Sequence, residues 1–135
     1  MTFIDTNILI DIASGNPAWA EWSIEALARV RARGACLINV AVYAEFAIGF
    51  SSQAACDAEM DIFDLQCVEI DKDSAFLAAQ AFRQYQRAGG IRTNVLADFL
   101  IGAHAHVLNL PLLTRDVRRY RTYFPNLNLI CPEMI

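Results

Sequence analysis

Four carboxylates stand where a carboxylate is hard to explain. Asp5 closes a short apolar run, Phe3-Ile4. Glu45 lies in Val40-Ala41-Val42-Tyr43-Ala44-Glu45-Phe46-Ala47-Ile48, where its helical neighbours at three and four positions are Ala41, Val42, Ile48 and Gly49. Asp98 is the only charged side chain between Arg92 and Arg115, and its helical neighbours are Asn94, Val95, Ile101 and Gly102. Asp116 follows a second apolar run, Leu112-Leu113-Thr114. A buried unpaired carboxylate is costly, so each of the four needs a reason to be there. Two carboxylates ~6 Å apart repel by about 3 kcal/mol at an effective dielectric of about 20. Several such pairs would rival the ~5–15 kcal/mol that holds a domain together. Four converging acids must therefore take up protons or bind cations. Oxygen donors without histidine or thiolate suit Mg²⁺ or Mn²⁺, and such ions join carboxylates to phosphate in phosphodiester hydrolysis.

Convergence depends on the elements that carry these residues. The chain alternates short apolar runs with helical stretches. Thr2-Phe3-Ile4, Cys36–Val40, Cys67–Ile70, Pro111–Thr114 and Leu127–Ile130 are predicted strands. Helices are predicted over Ile8–Ala13, Pro17–Arg33, Ala41–Phe50, Gln53–Asp64, from Asp71 or Asp73 to Arg87, and over Val95–Leu108 behind an Asn94 cap, with a helical turn over Arg115–Tyr120. Apolar strands separated by helices predict an α/β fold with a parallel sheet covered on both faces. Right-handed crossovers place the strand ends that feed helices along one edge, where ligands bind. Asp5 and Asp116 would end strands there, and Glu45 and Asp98 would sit early in helices. Gly102 and Ala105 beside Asp98 leave room for something to approach. A cap at Asp5 would be the bland account, but Asn7 is available for that task.

The 135 residues suit one domain, 1–135. A 56% apolar fraction with 19% charged residues excludes a disordered chain. The longest uncharged stretch, Phe99 to Thr114, is too short and too polar to span a membrane. No basic side chain precedes Arg29, so no signal-peptide pattern is expected. Cys36, Cys56, Cys67 and Cys131 have no zinc-ligand spacing and are expected to be reduced, in a cytoplasmic protein. The net charge of −4 excludes a generic polyanion binder. All basic residues but Lys72 are arginines, and Arg115, Arg118, Arg119 and Arg121 form the one dense run, interleaved with Tyr120 and Tyr123. Arginine suits phosphate, and the aromatics suit unpaired bases; a solvated helix end paired with local acids is the plainer account. Trp19 and Trp22 are either core or a groove for a partner helix. His104 and His106, two apart on a helix, diverge and are expected to be structural.

Four segments carry a resemblance to a known family: Phe3-Ile4-Asp5-Thr6-Asn7-Ile8-Leu9, Asn39-Val40-Ala41-Val42-Tyr43-Ala44-Glu45, Asp98-Phe99-Leu100-Ile101-Gly102-Ala103-His104-Ala105, and Leu113-Thr114-Arg115-Asp116. Their order and spacing, with the Arg118–Pro125 run, resemble the PIN-domain ribonucleases, and among them the toxins of VapBC-type toxin–antitoxin pairs. The resemblance implies a three-layer sandwich around a five-stranded parallel sheet of order 3-2-1-4-5. It implies an endoribonuclease dependent on Mg²⁺ or Mn²⁺, an RNA substrate, a homodimer and inhibition by a cognate antitoxin. The family's metal-binding acids fall on Asp5 and Asp98, and its further active-site acids on Glu45 and Asp116. Thr6 and Asn7 match positions that brace the first acid, and Thr114 fills the polar position before the fourth. Arg115, Arg118 and Arg119 are the candidate RNA contacts. Gly102 stands where the family commonly has alanine, an exchange expected to be harmless. Two other classes compete. A catalytically silent PIN-like binding module would keep the fold alone. A receiver-type phosphoacceptor domain would need a strand-end lysine, for which Lys72 is misplaced.

Overall fold

The computed structural model describes residues 1–132. The last three positions of the expected 1–135 domain lie outside the described residues. Five strands, β1 (Thr2–Ile4), β2 (Cys36–Ile38), β3 (Gln66–Cys67), β4 (Leu112–Leu113) and β5 (Leu129–Ile130), form one all-parallel sheet in the order β3-β2-β1-β4-β5. This is the strand order that the resemblance implies. Among the described residues seven helices connect the strands: α1 (Thr6–Ser14), α2 (Ala20–Arg33), α3 (Val40–Ala47), α4 (Gln53–Ile62), α5 (Lys72–Arg87), α6 (Leu96–Val107) and α7 (Arg118–Tyr123). Phe3, Ile4, Leu112 and Leu113 are fully buried, as expected of central strands covered on both faces.

The chain winds outward from β1 through β2 to β3, then returns to the other side of β1 with β4 and β5. The order therefore reverses beside β1, and the crevice at the carboxyl ends of β1 and β4 is the topological switch point. In register, Ile4 lies beside Leu113. The next residues, Asp5 and Thr114, consequently emerge side by side, with the Asp5 N–H donating to the Leu113 carbonyl at 2.9 Å.

Side-chain caps move several boundaries from their predicted places. Asn39 ends β2 early because its side-chain oxygen accepts from the Ala41 and Val42 N–H groups and starts α3. Asn16 accepts from the Ala18 and Trp19 N–H groups, so residues 17–19 form a turn and α2 begins only at Ala20. Asn94 does not cap α6; buried Val95 anchors that end instead. The helical turn predicted over Arg115–Tyr120 is displaced to α7. Asp11 holds the Arg115 guanidinium, and the Thr114 hydroxyl takes the Asp116 N–H, so the backbone is not free to turn helically before Val117.

The space expected beside Gly102 is filled by the protein. A Cβ at this position would fall 2.8 Å from the Phe124 ring and 3.0 Å from the Tyr120 ring, both buried. Gly102 is thus the clearance that lets α7 and the following turn dock on α6; glycine in the place of the family's alanine suits this packing, whereas a return to alanine would crowd both rings. Alanine favours a helix by about 1 kcal/mol over glycine, but overpacking a core costs ~1–3 kcal/mol. Gly102→Ala is expected to lower the unfolding temperature, measured by thermal denaturation; a variant at least as stable as the parent would contradict this packing.

Candidate active site

Asp5 is 3% exposed, at the carboxyl end of β1. It occupies the N-cap of α1 itself, and Asn7 sits inside the helix, so the cap and the site are the same residue. The Asp5 Oδ1 atom accepts from the Thr6 N–H at 2.7 Å. The Oδ2 atom faces three side-chain donors: the Thr114 hydroxyl at 2.8 Å, the Tyr120 hydroxyl at 2.9 Å and the Asn7 amide at 3.3 Å. Asn7 also bonds the Thr114 hydroxyl at 3.2 Å, while its own oxygen accepts from the Arg115 N–H at 3.4 Å. Thr6 reaches the first acid only through its backbone; its hydroxyl donates to Glu45 Oε1 at 2.7 Å. Tyr120 and its bond across 115 residues carried no signal in the sequence.

Glu45 arrives from α3 and Asp98 from the first turn of α6, where a helix N-terminus favours an anion. Asn39 ties the two helices together, reaching the Leu100 carbonyl and the Nδ1 atom of buried His104 at 3.1 Å. His104 thus has a structural bond, and His106 points into solvent.

Asp5, Glu45 and Asp98 each offer an oxygen, and these three atoms lie within 4.8 Å of one another. Asp116 is not in this group. It is exposed, and lines the same cavity of about 280 Å³ with Asn7, Ile10, Arg115, Arg119 and Tyr120. Lys72, at the start of α5, does not line that cavity. Burial pushes the Asp5 carboxyl up to about 7; the charge of Asp98 adds to this, and the Thr114, Tyr120 and Thr6 donors oppose it. Burial likewise raises Glu45, with Asp98 adding and Thr6 opposing. Asp98 is raised by burial despite the opposing Arg119 charge. Three neighbouring carboxylates, all displaced toward their neutral forms, with no thiolate or imidazole among them, form a donor set that fits a hard divalent cation.

The arginines divide. Arg115 turns inward and holds Asp11, which is 1% exposed, through Nε–Oδ2 at 2.6 Å and Nη2–Oδ1 at 3.0 Å. Its guanidinium also lies 5.6 Å over the Trp19 ring, which meets Trp22 edge to face. Ser23 and Asn16 complete the bonds of Asp11. Arg115 was expected to face phosphate, but its charge is committed to this buried pair. The one sign of Asp11 in the sequence is a charge inside the apolar Ile8-Leu9-Ile10-Asp11-Ile12 run. Arg119 pairs with Asp98. Arg118 is exposed, with no acidic partner among the described residues.

The PIN domain family model matches residues 2–125. Similar solved structures include VapBC2 from Rickettsia felis bound to a DNA fragment from their promoter, with 23% identity, 98% of each chain covered and a TM-score of 0.71. VapBC-1 from nontypeable Haemophilus influenzae aligns at 18% identity, 96% of each chain and a TM-score of 0.71. A toxin–antitoxin complex from Klebsiella pneumoniae aligns at 23% identity over the whole of both chains, with a TM-score of 0.67. At these identities the likeness is one of fold. Among curated proteins none matches significantly.

Because burial pushes the Asp5 carboxyl up to about 7 in the fold, from about 3.9 in an unfolded chain, the native state holds the extra proton between these values. Stability is thus lost as pH rises through this window and is level above it, a loss of up to about 4 kcal/mol. Metal-free protein is expected to melt lower at pH 8 than at pH 5.5, and Asp5→Asn should abolish most of this difference. Mn²⁺ should raise the melting temperature more at pH 8, where no proton must leave. A pH-independent Mn²⁺ shift would contradict this account of Asp5.

Proposed function

The chain belongs to the PIN-domain family, and on that premise we propose that it is an Mg²⁺- or Mn²⁺-dependent endoribonuclease, the toxin of a toxin–antitoxin pair. In this reading residues 1–135 act as a single domain in a cytoplasmic homodimer, held inactive by a cognate antitoxin. The observation that carries the reading is the meeting of Asp5, Glu45 and Asp98 at the switch point, each carboxyl raised by burial.

Asp5 and Asp98 would hold the principal ion, and Glu45 is close enough to share it. Thr114, Tyr120 and Asn7 on Oδ2 and the Thr6 N–H on Oδ1 fix the orientation of the Asp5 carboxyl. Thr6 holds Glu45 in place. Asp116, at the open side of the cavity, orients the attacking water or joins in holding a second ion. When bound, the metal lowers the pKa of a water and stabilises charge on the phosphoryl oxygens. In-line attack on phosphorus breaks the bond to the 3′ oxygen, leaving a 5′-phosphate and a 3′-hydroxyl. Arg119 lines the cavity, and with exposed Arg118 just before it on α7 draws the RNA backbone to an otherwise acidic site.

Two observations support the antitoxin partner. The solved complexes above are toxin–antitoxin assemblies. Beside Glu45 an apolar groove of Ile10, Ala13, Phe46, Ile48 and Phe50 opens to solvent, and Ile48 is 84% exposed. Such a groove suits the apolar face of a partner helix. No helix among the described residues is long and apolar enough to cross a membrane. One observation favours the silent module instead: Arg119 already supplies Asp98 with a positive partner.

Purified protein is expected to cut single-stranded RNA with Mg²⁺ or Mn²⁺ and to stop in EDTA. Asp98→Asn should lower the rate about 100-fold or more while the melting temperature is retained. Normal cutting by Asp98→Asn removes Asp98 from the site, and RNA binding without cutting under either ion identifies the silent module.

A further inference from the structure

A second cavity, of about 490 Å³, adjoins the acidic one and shares Asp116 and Arg119 with it. Its other walls are Tyr85 from α5 and Arg118, Thr122 and Tyr123 from α7. Its volume lies in the range of small-molecule sites. The acid cluster has no use for the two tyrosines, yet both are held firmly. Their rings meet edge to face at 6.2 Å, and each also packs on Phe99, at 5.9 Å for Tyr85 and 5.1 Å for Tyr123. Phe99 is fully buried and is the residue after Asp98. The backbone of Gly90 lies against the Tyr85 ring, where a Cβ would come within 2.3 Å, and the Arg92 N–H donates to the Tyr85 hydroxyl at 3.3 Å. The Thr122 hydroxyl donates to the Arg118 carbonyl at 2.9 Å, leaving its lone pairs to accept.

Flat rings beside an unpaired arginine, one step from the acids, match the parts of a nucleotide: a base with a π-face and an anionic phosphate. A base in an A-form duplex has no free face to offer, so the strand must be unpaired. We propose that this cavity is a nucleoside subsite that seats one unpaired RNA base next to the scissile phosphate, against the rings of Tyr85 and Tyr123. The proposal rests on the nuclease reading. Because Phe99 supports both rings and adjoins Asp98, the seat and the acids are fixed to the same turn of α6. The site thus seats one base at a set distance from the cut.

The test scans a single-stranded RNA with one abasic position at a time, measuring binding to Asp98→Asn protein with Mn²⁺ by fluorescence anisotropy. One position should be sensitive, losing about tenfold or more when its base is removed. That sensitivity should vanish in Asp98→Asn with Tyr123→Leu and survive with Tyr123→Phe. Cutting by the otherwise unaltered chain should slow when the base at the same position is removed, whichever base stood there. Loss spread evenly over all positions overturns the subsite even when cutting is efficient. A single tyrosine-dependent position in a protein that never cuts keeps the subsite and overturns the nuclease reading. Where Tyr123→Leu does not fold, the abasic scan on Asp98→Asn alone decides the matter.

Discussion

A carboxyl group that has lost its water must find other partners or give up its charge. Asp5 illustrates both responses. One oxygen is surrounded by hydroxyl and amide donors from α1, the β4 end and α7. The whole group is nevertheless held near neutrality by burial and by Asp98. The donors fix where the carboxyl points, and the unrelieved charge fixes what it can accept. A divalent cation would resolve the conflict better than a proton, because it could serve Glu45 and Asp98 at the same time.

The rest of the fold maintains this conflict. The reversal of strand order beside β1 brings Asp5 and Thr114 out together. Asn39 ends β2, starts α3 and reaches α6, so the elements carrying Glu45 and Asp98 share one buried bond network. The Asp11–Arg115 pair, with Ser23 on Asp11, anchors the loop after β4 to α1 and α2, which keeps Thr114 against Asp5 and Asp116 on the cavity wall. A buried ion pair contributes little net stability but is costly to break, so this anchor acts mainly by fixing the loop.

The three clustered acids were legible because each is a charge in apolar surroundings, and a charge there is expensive wherever it is found. Strand and helix types were legible for the same local reason. Most helix starts were legible too, and α4 begins at Gln53 as expected; the start of α2 was not, because Asn16 sets it by side-chain bonds that pattern alone does not reveal. Partners far apart along the chain were also hidden. Arg115 reads as a phosphate contact until Asp11, 104 residues earlier, is seen to hold it. Tyr120 reads as part of a basic aromatic run until its hydroxyl is found on Asp5. Asp116 shares the spacing of the other acids but stands in solvent, since a strand end marks an edge of the sheet and does not say how far the following loop carries a side chain.

The clearance at Gly102 has a consequence for how this sequence can drift. The hydrogen at that α-carbon stands against Phe124 and Tyr120, and Tyr120 in turn reaches the first acid. A methyl group at 102 demands a smaller ring at 124 or a shifted phenol at 120, and a shifted phenol disturbs Asp5. These three positions therefore form a single mutational unit. Homologues that enlarge the first should compensate at the other two, and the same exchange made alone should prove deleterious in one background and silent in another.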